Sequence, residues 1–137
     1  KRYGSVTYHG PGQLVAYHIA QVDEIRAHIK SLEDATISFL ALHDIHGEST
    51  GVIEHPGVLV AEKKVASIGI AIRNWITFHG LSINIKKDDL DNFSLIKPCG
   101  MDIEMTSLET ALGKNIEIEQ MKEIFTHKFK DTFLIPR

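Results

Sequence analysis

The chain has a single cysteine, Cys99, which stands between Pro98 and Gly100. Proline restricts the backbone and glycine allows an abrupt change of direction, so this pattern predicts a thiol on a loop. A thiolate on a loop can attack a carbonyl carbon and hold an acyl group as a thioester. Because free cysteine is also among the most buried residue types, a half-buried structural thiol is the competing interpretation.

Two adjacent lysines, Lys63 and Lys64, precede an apolar run from Val65 to Ile72. Side chains alternate between the two faces of a strand, so we expect one lysine to face solvent and the other to point toward a cleft. The small residues Ala66, Ser67 and Gly69 leave room for a chain to lie against this strand. A fully solvated turn is the alternative, because lysines are mostly exposed.

Two histidines stand next to glycines, His79 before Gly80 and His9 in a loop that continues Gly10-Pro11-Gly12. Each imidazole is able to donate a hydrogen bond to a substrate carbonyl or carboxylate. Each is equally compatible with a structural role, in which its hydrogen bonds fix a turn. The sequence context does not separate the two roles.

Other patterns with known chemistry are weak in this chain. His43 and His46 are capable of binding metal, but their spacing provides neither three or four convergent ligands nor a supporting shell, so no metal is expected. Ser67 lacks the Gly-x-Ser-x-Gly elbow of serine hydrolases. There is no P-loop and no dinucleotide fingerprint, so we expect no cofactor.

The size and charge of the chain limit what can position these groups. Its 137 residues, 43% of them hydrophobic, are enough for one domain over residues 1–137 with its own core. The net charge of -3, with both signs interspersed, provides no basic stripe for nucleic acid. No apolar run approaches the roughly 20 residues that span a bilayer. We therefore expect a soluble protein of the cytoplasm, where a single thiol stays reduced.

The hydrophobic pattern predicts two long helices and several strands. One helix is capped by Asp23, the other has Met121, Ile124, Phe125 and Phe129 on one face, and a capping box joins Thr106 to Glu109. Strands are predicted at Ser5 to Tyr8, Leu14 to Ala20, Gly51 to Ile53, Val58 to Ala61, Val65 to Ile72 and Ser82 to Ile85. This grouping, without regular βαβ alternation, indicates an α+β domain with a mixed, largely antiparallel sheet covered by helices.

Four ordered motifs resemble the lipoyl(octanoyl) transferase family. They are Arg2-Tyr3-Gly4-Ser5-Val6-Thr7-Tyr8-His9-Gly10-Pro11-Gly12-Gln13, then Lys63-Lys64-Val65-Ala66-Ser67-Ile68-Gly69, then Phe78-His79-Gly80-Leu81 with Asn84, and finally Pro98-Cys99-Gly100. The resemblance implies a fold shared with lipoate and biotin protein ligases. It also implies octanoyl transfer from acyl carrier protein, through the cysteine, to a lysine of a lipoyl domain. Such domains occur in the E2 subunits of 2-oxoacid dehydrogenases and as the glycine cleavage H protein, and the enzyme is expected to be a monomer.

The same resemblance implies roles for individual residues. Cys99 corresponds to the acyl-thioester residue and Lys64 to the residue that lowers the pKa of the thiol. The substrate-contact segments correspond to Arg2, Tyr3, Gly4, Ser5, Val6, Thr7, Tyr8 and His9, to Ser67, Ile68 and Gly69, and to His79, Gly80, Leu81 and Ser82. The apolar strand from Val65 to Ile72 is expected to help line a slot for the octanoyl chain.

The chain departs from the family pattern at three points. Tyr3 stands where the family usually has glycine, and Ser82 where it usually has alanine. Family members also begin well upstream, so the N-terminal part of the family domain is expected to be absent. Two alternatives stay open: an ATP-dependent lipoate or biotin ligase, against which Cys99 and the loop from Tyr8 to Gln13 argue, and a fragment that binds an acyl group or a lipoyl domain without turnover.

The implied pairing of Lys64 with Cys99 makes chemical sense. A thiol with a pKa of about 8.5 is only a few per cent thiolate at neutral pH. An ammonium about 4 Å away contributes on the order of 4 kcal/mol of attraction at an effective dielectric of about 20. That attraction corresponds to at most ~3 pKa units before screening. Half of this shift brings the pKa of the thiol to ~7, so that about half of it is thiolate at neutral pH.

Overall fold

A computed structural model describes residues 2–3, 11–19, 21–52, 54–87 and 104–133 of the chain, with backbone alone for residues 2, 3, 132 and 133. These residues form six strands and three helices. The strands are β1 (Arg2–Tyr3), β2 (Gln13–Tyr17), β3 (Glu48–Ser49), β4 (Gly57–Val60), β5 (Lys63–Arg73) and β6 (Ile76–Asn84). The helices are α1 (Ile25–Ala41), α2 (Leu108–Leu112) and α3 (Ile118–Phe133). None of the helices in the described part is long and apolar enough to cross a membrane.

The strands form one sheet in the order β2-β6-β5-β4-β3, and the paired strands of this order run antiparallel. Strand β1 lies off this path, where Arg2 and Tyr3 pair with Ala71 and Ile70 at the far end of β5. A single residue pair, Lys64 with Met105, forms a parallel bridge. The predicted α+β class with a largely antiparallel sheet is confirmed, and β5 is the strand that contacts most of the others.

The helices pack on one face of the sheet and close the core. Leu32, Phe39 and Leu40 of α1 are fully buried, and the ring of Phe39 meets that of Phe125 in α3 edge-on at 5.2 Å. These side chains recur at helical spacing, which explains why a single apolar stripe is buried while the opposite face stays polar. The prediction of a final amphipathic helix is confirmed by α3.

Several predicted boundaries are wrong. The side chain of Glu24, not of Asp23, caps α1 by accepting hydrogen bonds from the backbone N–H of Arg26 and Ala27. Strand β3 ends at Ser49, before the predicted strand that starts at Gly51, whose φ of 74° is left-handed. This φ lies outside the range of regular strand geometry, and glycine permits it without steric cost. The predicted strand from Ser5 to Tyr8 lies outside the described residues.

Strand β6 begins at Ile76, six residues before the predicted start. The two residues that connect β5 to β6, Asn74 and Trp75, have φ values of 52° and 62°. Two consecutive left-handed residues form the type of two-residue turn that matches the twist of an antiparallel hairpin. The turn lacks the usual Asn-Gly pair, so the sequence carries only a weak signal for this hairpin.

Candidate active site

The two lysines at the start of β5 differ sharply in exposure. Lys64 is 2% exposed, whereas the side chain of Lys63 is 51% exposed and forms an ion pair with Glu104 at 3.5 Å. The expected difference in exposure between the two lysines is confirmed, and the expected cleft beside Lys64 stays a prediction. Burying a lysine costs free energy because its charge leaves water, and such burial is rare outside functional or paired sites. Lys64 is therefore the polar side chain around which the candidate site is built.

A β-bulge determines the face on which Lys64 lies. Regular alternation over the three positions from Lys64 to Ser67 places the two side chains on opposite faces. The pairing of β4 with β5 shifts between Val58, opposite Ala66, and Leu59, opposite Lys64, so that Val65 is an extra residue on β5. A bulge residue shifts the alternation of side chains along its strand by one position. Lys64 thus shares a face with Ser67, away from the helix-covered core.

Gly57 of β4 lies against the side chain of Lys64. A Cβ added at Gly57 lies 2.7 Å from Lys64 Cε and 2.3 Å from the carbonyl oxygen of Ala66. Glu33 of α1 holds this glycine by accepting its backbone N–H at 3.0 Å. Gly57 is therefore required for the close approach of β4 to the lysine.

We expect Gly57→Ala to displace Lys64 and to slow any reaction that depends on its amine on the order of 10-fold to 100-fold, since small displacements of a reacting group have effects of this size. Overpacking also lowers the free energy of unfolding by about 1–3 kcal/mol. The matched control is Gly51→Ala, which adds strain at a φ of 74° but no neighbour within 4 Å. Urea unfolding and the activity assay for the function proposed below check both variants. Equal activities in the two would contradict a specific role of Gly57.

Small residues continue the Lys64 face along β5 and β6. Ser67 pairs with Ser82, and Gly69 pairs with Gly80, so these four residues form two adjacent rows beside the lysine. The intervening pair of Ile68 with Leu81 lies in the core on the opposite face, and Val65 and Ile70 are also buried there. The expected slot along this strand stays a prediction, and only the small residues and the backbone can line it, because the buried apolar side chains and Ala66 belong to the core. Any contact of Ile68 or Leu81 with a substrate goes through their backbone.

His79 has a strained backbone in the middle of β6. Its φ of 66° is left-handed, which costs a non-glycine residue roughly 1–2 kcal/mol. The imidazole meets the ring of Tyr17 edge-on at 5.9 Å, and the His79 carbonyl accepts a hydrogen bond from the backbone N–H of His18. The residue opposite His79 is Ile70, six positions along β5 from Lys64, which corresponds to roughly 20 Å. The structure therefore does not bring His79 to the lysine.

The segment that follows Cys99 in the sequence reaches Lys64. The backbone N–H of Lys64 donates to the carbonyl of Glu104, and the N–H of Thr106 donates to the carbonyl of Lys64, both at 2.8 Å. Cys99 itself lies outside the described residues, as do Gly4, Ser5, Val6, Thr7, Tyr8 and His9. Of that N-terminal stretch, the backbone of Arg2 and Tyr3 lies beside β5.

Glu109 joins the two chain segments that border residues 88–103. Its carboxylate accepts hydrogen bonds from Lys86 Nζ at 2.6 Å, from Ile116 N at 2.7 Å and from Lys87 N at 3.0 Å. Burial by itself raises the pKa of this carboxyl, but these bonds and the charge of Lys86 together lower its pKa to about 2. The predicted capping box is wrong, because Ser107 caps α2 and Glu109 serves this cluster instead.

Two buried amides near Lys64 were not among the predicted site residues. Gln13 Nε2 donates to Asn84 Oδ1 at 2.7 Å, and Asn84 Nδ2 donates to the carbonyl of Thr106 at 3.0 Å. The only signal in the sequence was their presence within the motifs quoted above. Buried amides are expected to have hydrogen-bond partners, but sequence spacing does not reveal which groups these are.

Comparison with known proteins places this geometry in a family. The model of the lipoyl protein ligase A/B catalytic domain matches residues 1–130. An octanoyltransferase of Solibacter usitatus is 38% identical over 136 residues, covering 96% of this chain and 60% of the relative. An octanoyltransferase of Parvibaculum lavamentivorans is 40% identical over 143 residues, covering 96% of this chain and 63% of the relative. The chain thus spans about three fifths of the length of these relatives.

Solved structures show the same fold at low sequence identity. A lipoate-protein ligase A bound with ATP superposes with a TM-score of 0.79 at 16% identity, covering 96% of this chain and 56% of that one. A biotin protein ligase from Aquifex aeolicus superposes with a TM-score of 0.66 at 15% identity, covering 90% of this chain and 53% of that one. The fold expected from the sequence motifs, shared with lipoate and biotin protein ligases, is confirmed.

Proposed function

The chain belongs to the lipoyl protein ligase A/B catalytic-domain family, and from this premise we propose that it transfers an octanoyl group from acyl carrier protein to a lysine of a lipoyl domain. The acyl group passes through a thioester on Cys99. Octanoyltransferase relatives at 38–40% identity support the choice of transfer over ligation. The observation that carries the proposal is the burial of Lys64 on the small-residue face of β5, next to the segment that follows Cys99.

In the first step, the Cys99 thiolate attacks the carbonyl carbon of the octanoyl thioester. The bond between that carbon and the sulfur of the carrier breaks, and the carrier thiolate leaves. The ammonium of Lys64 stabilises the attacking thiolate beforehand and then donates a proton to the leaving carrier thiolate. Cys99 is left acylated and Lys64 is left neutral.

In the second step, the amine of the acceptor lysine attacks the acyl carbon held on Cys99. An amide bond forms, the carbon–sulfur bond breaks, and Cys99 leaves as a thiolate. The neutral amine of Lys64 accepts the proton that the acceptor nitrogen loses, which restores the starting ion pair. One side chain thus serves both steps, and no nucleotide is consumed.

The substrate-contact residues extend from Lys64 along β5 and β6. Ser67 and Gly69, with Ser82 and Gly80 beside them, provide a floor without large side chains on which an acyl chain can lie. The Arg2 to His9 segment contributes further contacts, and the backbone of its first two residues pairs with β5. His79 contributes at the far end of the floor. Ile68 and Leu81 contribute through their backbone, because their side chains are buried in the core.

The partners follow from the chemistry of donor and acceptor. They are octanoyl-acyl carrier protein and lipoyl domains, which include the E2 subunits of 2-oxoacid dehydrogenases and the glycine cleavage H protein. A reactive single thiol is suited to the reducing cytoplasm. The protein acts there as a monomer.

Intact-protein mass spectrometry after incubation with octanoyl-acyl carrier protein tests the proposal. We expect the wild-type chain to gain the mass of one octanoyl group on Cys99 and to lose it when a lipoyl domain is added. Cys99→Ser is expected to abolish transfer, because a serine hydroxyl is far less ionised than a thiol at neutral pH. Octanoyl-lipoyl domain is the product measured, in the absence of ATP.

Each other result of this experiment contradicts a defined part of the proposal. Transfer that requires ATP and free octanoic acid makes the chain a ligase. An adduct on Cys99 that is never passed on makes it a binding or dead-end domain. The absence of any adduct removes Cys99 as the nucleophile.

A further inference from the structure

A row of hydrogen bonds connects the start of β2 to Lys64. Gln13 lies opposite Asn84 in the ladder between β2 and β6, and both side chains are buried. The side chain of Gln13 donates through Nε2 to the side-chain oxygen Oδ1 of Asn84. The side-chain nitrogen Nδ2 of Asn84 donates to the backbone carbonyl of Thr106. The N–H of Thr106 then donates to the carbonyl of Lys64. The row therefore orients the Asn84 amide with its nitrogen toward Thr106.

Asn84 lies at the point where β6 stops pairing with β5 and residues 104–106 begin to pair with it. The ladder between β5 and β6 starts at Ala66, opposite Ile83, and does not extend to Lys64. Beside Lys64, residues 104–106 take this position, with Met105 as the parallel bridge partner. Asn84 is the last residue of β6, and its side chain bonds to that incoming segment. It thus joins the end of β6 to the chain that pairs with the lysine.

We infer that Asn84, oriented by Gln13, is a positioning residue that holds Lys64 and the chain arriving from Cys99 in register. The inference rests on the proposed function, in which Lys64 activates the Cys99 thiol. Cys99 precedes Glu104 by five residues in the sequence, so the segment to which Asn84 bonds is continuous in the chain with the residue that bears the thiol. A displacement on the order of 1 Å in such a pair reduces reaction rates up to about 100-fold.

The test measures how fast iodoacetamide alkylates Cys99 as a function of pH. In Asn84→Ala, we expect the rate at neutral pH to fall about 10-fold and the profile to move toward that of an ordinary thiol, near pKa ~8.5. Gln13→Met removes the orienting donor but keeps the bond from Asn84 to Thr106. We expect it to lower the rate about 2-fold to 3-fold, in keeping with an indirect effect.

The matched control is Thr77→Val, on the same strand. Thr77 is 1% exposed, and its hydroxyl donates to the carbonyl of His18 at 2.9 Å, so this variant also loses a buried side-chain hydrogen bond to the backbone. We expect it to lose stability and to keep the wild-type alkylation profile. A general loss of stability would change the alkylation profiles of Asn84→Ala and Thr77→Val alike. A positioning role changes only the profile of Asn84→Ala.

Lys64→Ala, measured in parallel, separates this inference from the proposed function. If Lys64→Ala shifts the profile and Asn84→Ala does not, the positioning role is wrong and the proposed function stands. If neither variant shifts it, activation by Lys64 is wrong and the inference is overturned with it. If Asn84→Ala does not fold, Gln13→Met decides, and a wild-type profile for that variant overturns the inference.

Discussion

Replacing Lys64 by alanine is expected to slow octanoyl transfer by about 10²-fold to 10⁴-fold, which is the usual contribution of a positioned acid or base. The variant loses the ammonium that stabilises the Cys99 thiolate and the amine that accepts the proton in the second step. Alkylation of Cys99 at neutral pH is expected to slow about 10-fold, as the pKa of the thiol returns toward ~8.5. The alkylation profile against pH and single-turnover transfer measure the two effects separately.

Lys63→Ala is the control for this experiment. Lys63 is the neighbouring residue and carries the same charge, but its side chain is 51% exposed and pairs with Glu104 on the surface. Its removal is expected to change the alkylation rate less than 2-fold, because solvent screens exposed charges. Equal effects of the two substitutions would mean that the region contributes only a general positive field.

Lys64→Arg divides the two roles of the lysine. Arginine keeps a positive charge but does not release its proton at any pH reached in proteins. We therefore expect this variant to acylate Cys99, with the leaving carrier thiolate taking its proton from water, and then to accumulate the acyl-enzyme because arginine cannot accept the proton of the second step. Rapid release of the acyl group to the lipoyl domain would show that the proton of the second step goes elsewhere.

Glu109→Gln is expected to lower the free energy of unfolding by about 3 kcal/mol, because charged hydrogen bonds are lost from a buried cluster. The carboxylate is 4% exposed and accepts three hydrogen bonds. A glutamine offers a single acceptor oxygen, so its amide nitrogen faces at least one of these N–H donors. Urea unfolding at neutral pH measures the loss, and Tm falls by roughly 10 °C.

The difference between Glu109→Gln and the wild type depends on pH in a defined direction. The pKa of Glu109 in the folded protein is about 2, against an ordinary value of 4.5. The contribution of the ionised carboxylate is complete above pH 4.5. It is lost as the pH falls toward 2, because the unfolded chain takes up the proton first. The two unfolding curves should therefore converge in acid.

Glu119→Gln is the matched control for Glu109. Glu119 also pairs with a lysine, Lys122 at 3.3 Å, but its side chain is 80% exposed. Exposed pairs of this spacing contribute roughly 0.3–0.5 kcal/mol. A loss in Glu109→Gln no larger than that in Glu119→Gln would contradict a stabilising role of the cluster that borders residues 88–103.

The amino-acid sequence alone determined the features that depend on local pattern. The periodicity of Met121, Ile124, Phe125 and Phe129 predicted α3, and the apolar run after Lys64 predicted β5. Such patterns are readable because a residue's neighbours along the chain share its face of a helix or strand. The ordered motifs likewise indicated the family, and strand alternation indicated the unequal exposure of Lys63 and Lys64.

Only the tertiary structure decided what depends on contacts between distant segments. Lys64 faces the small-residue side of β5 because the pairing of β4 with β5 makes Val65 an extra residue, and no local pattern of β5 reveals that shift. Glu109 has the right spacing for a capping box, yet a buried site with three donors outcompetes the helix end. Asn84 meets Thr106 across 22 residues. Strand register and burial arise from the packing of the whole sheet. The hydrophobic periodicity of a local segment therefore does not predict them.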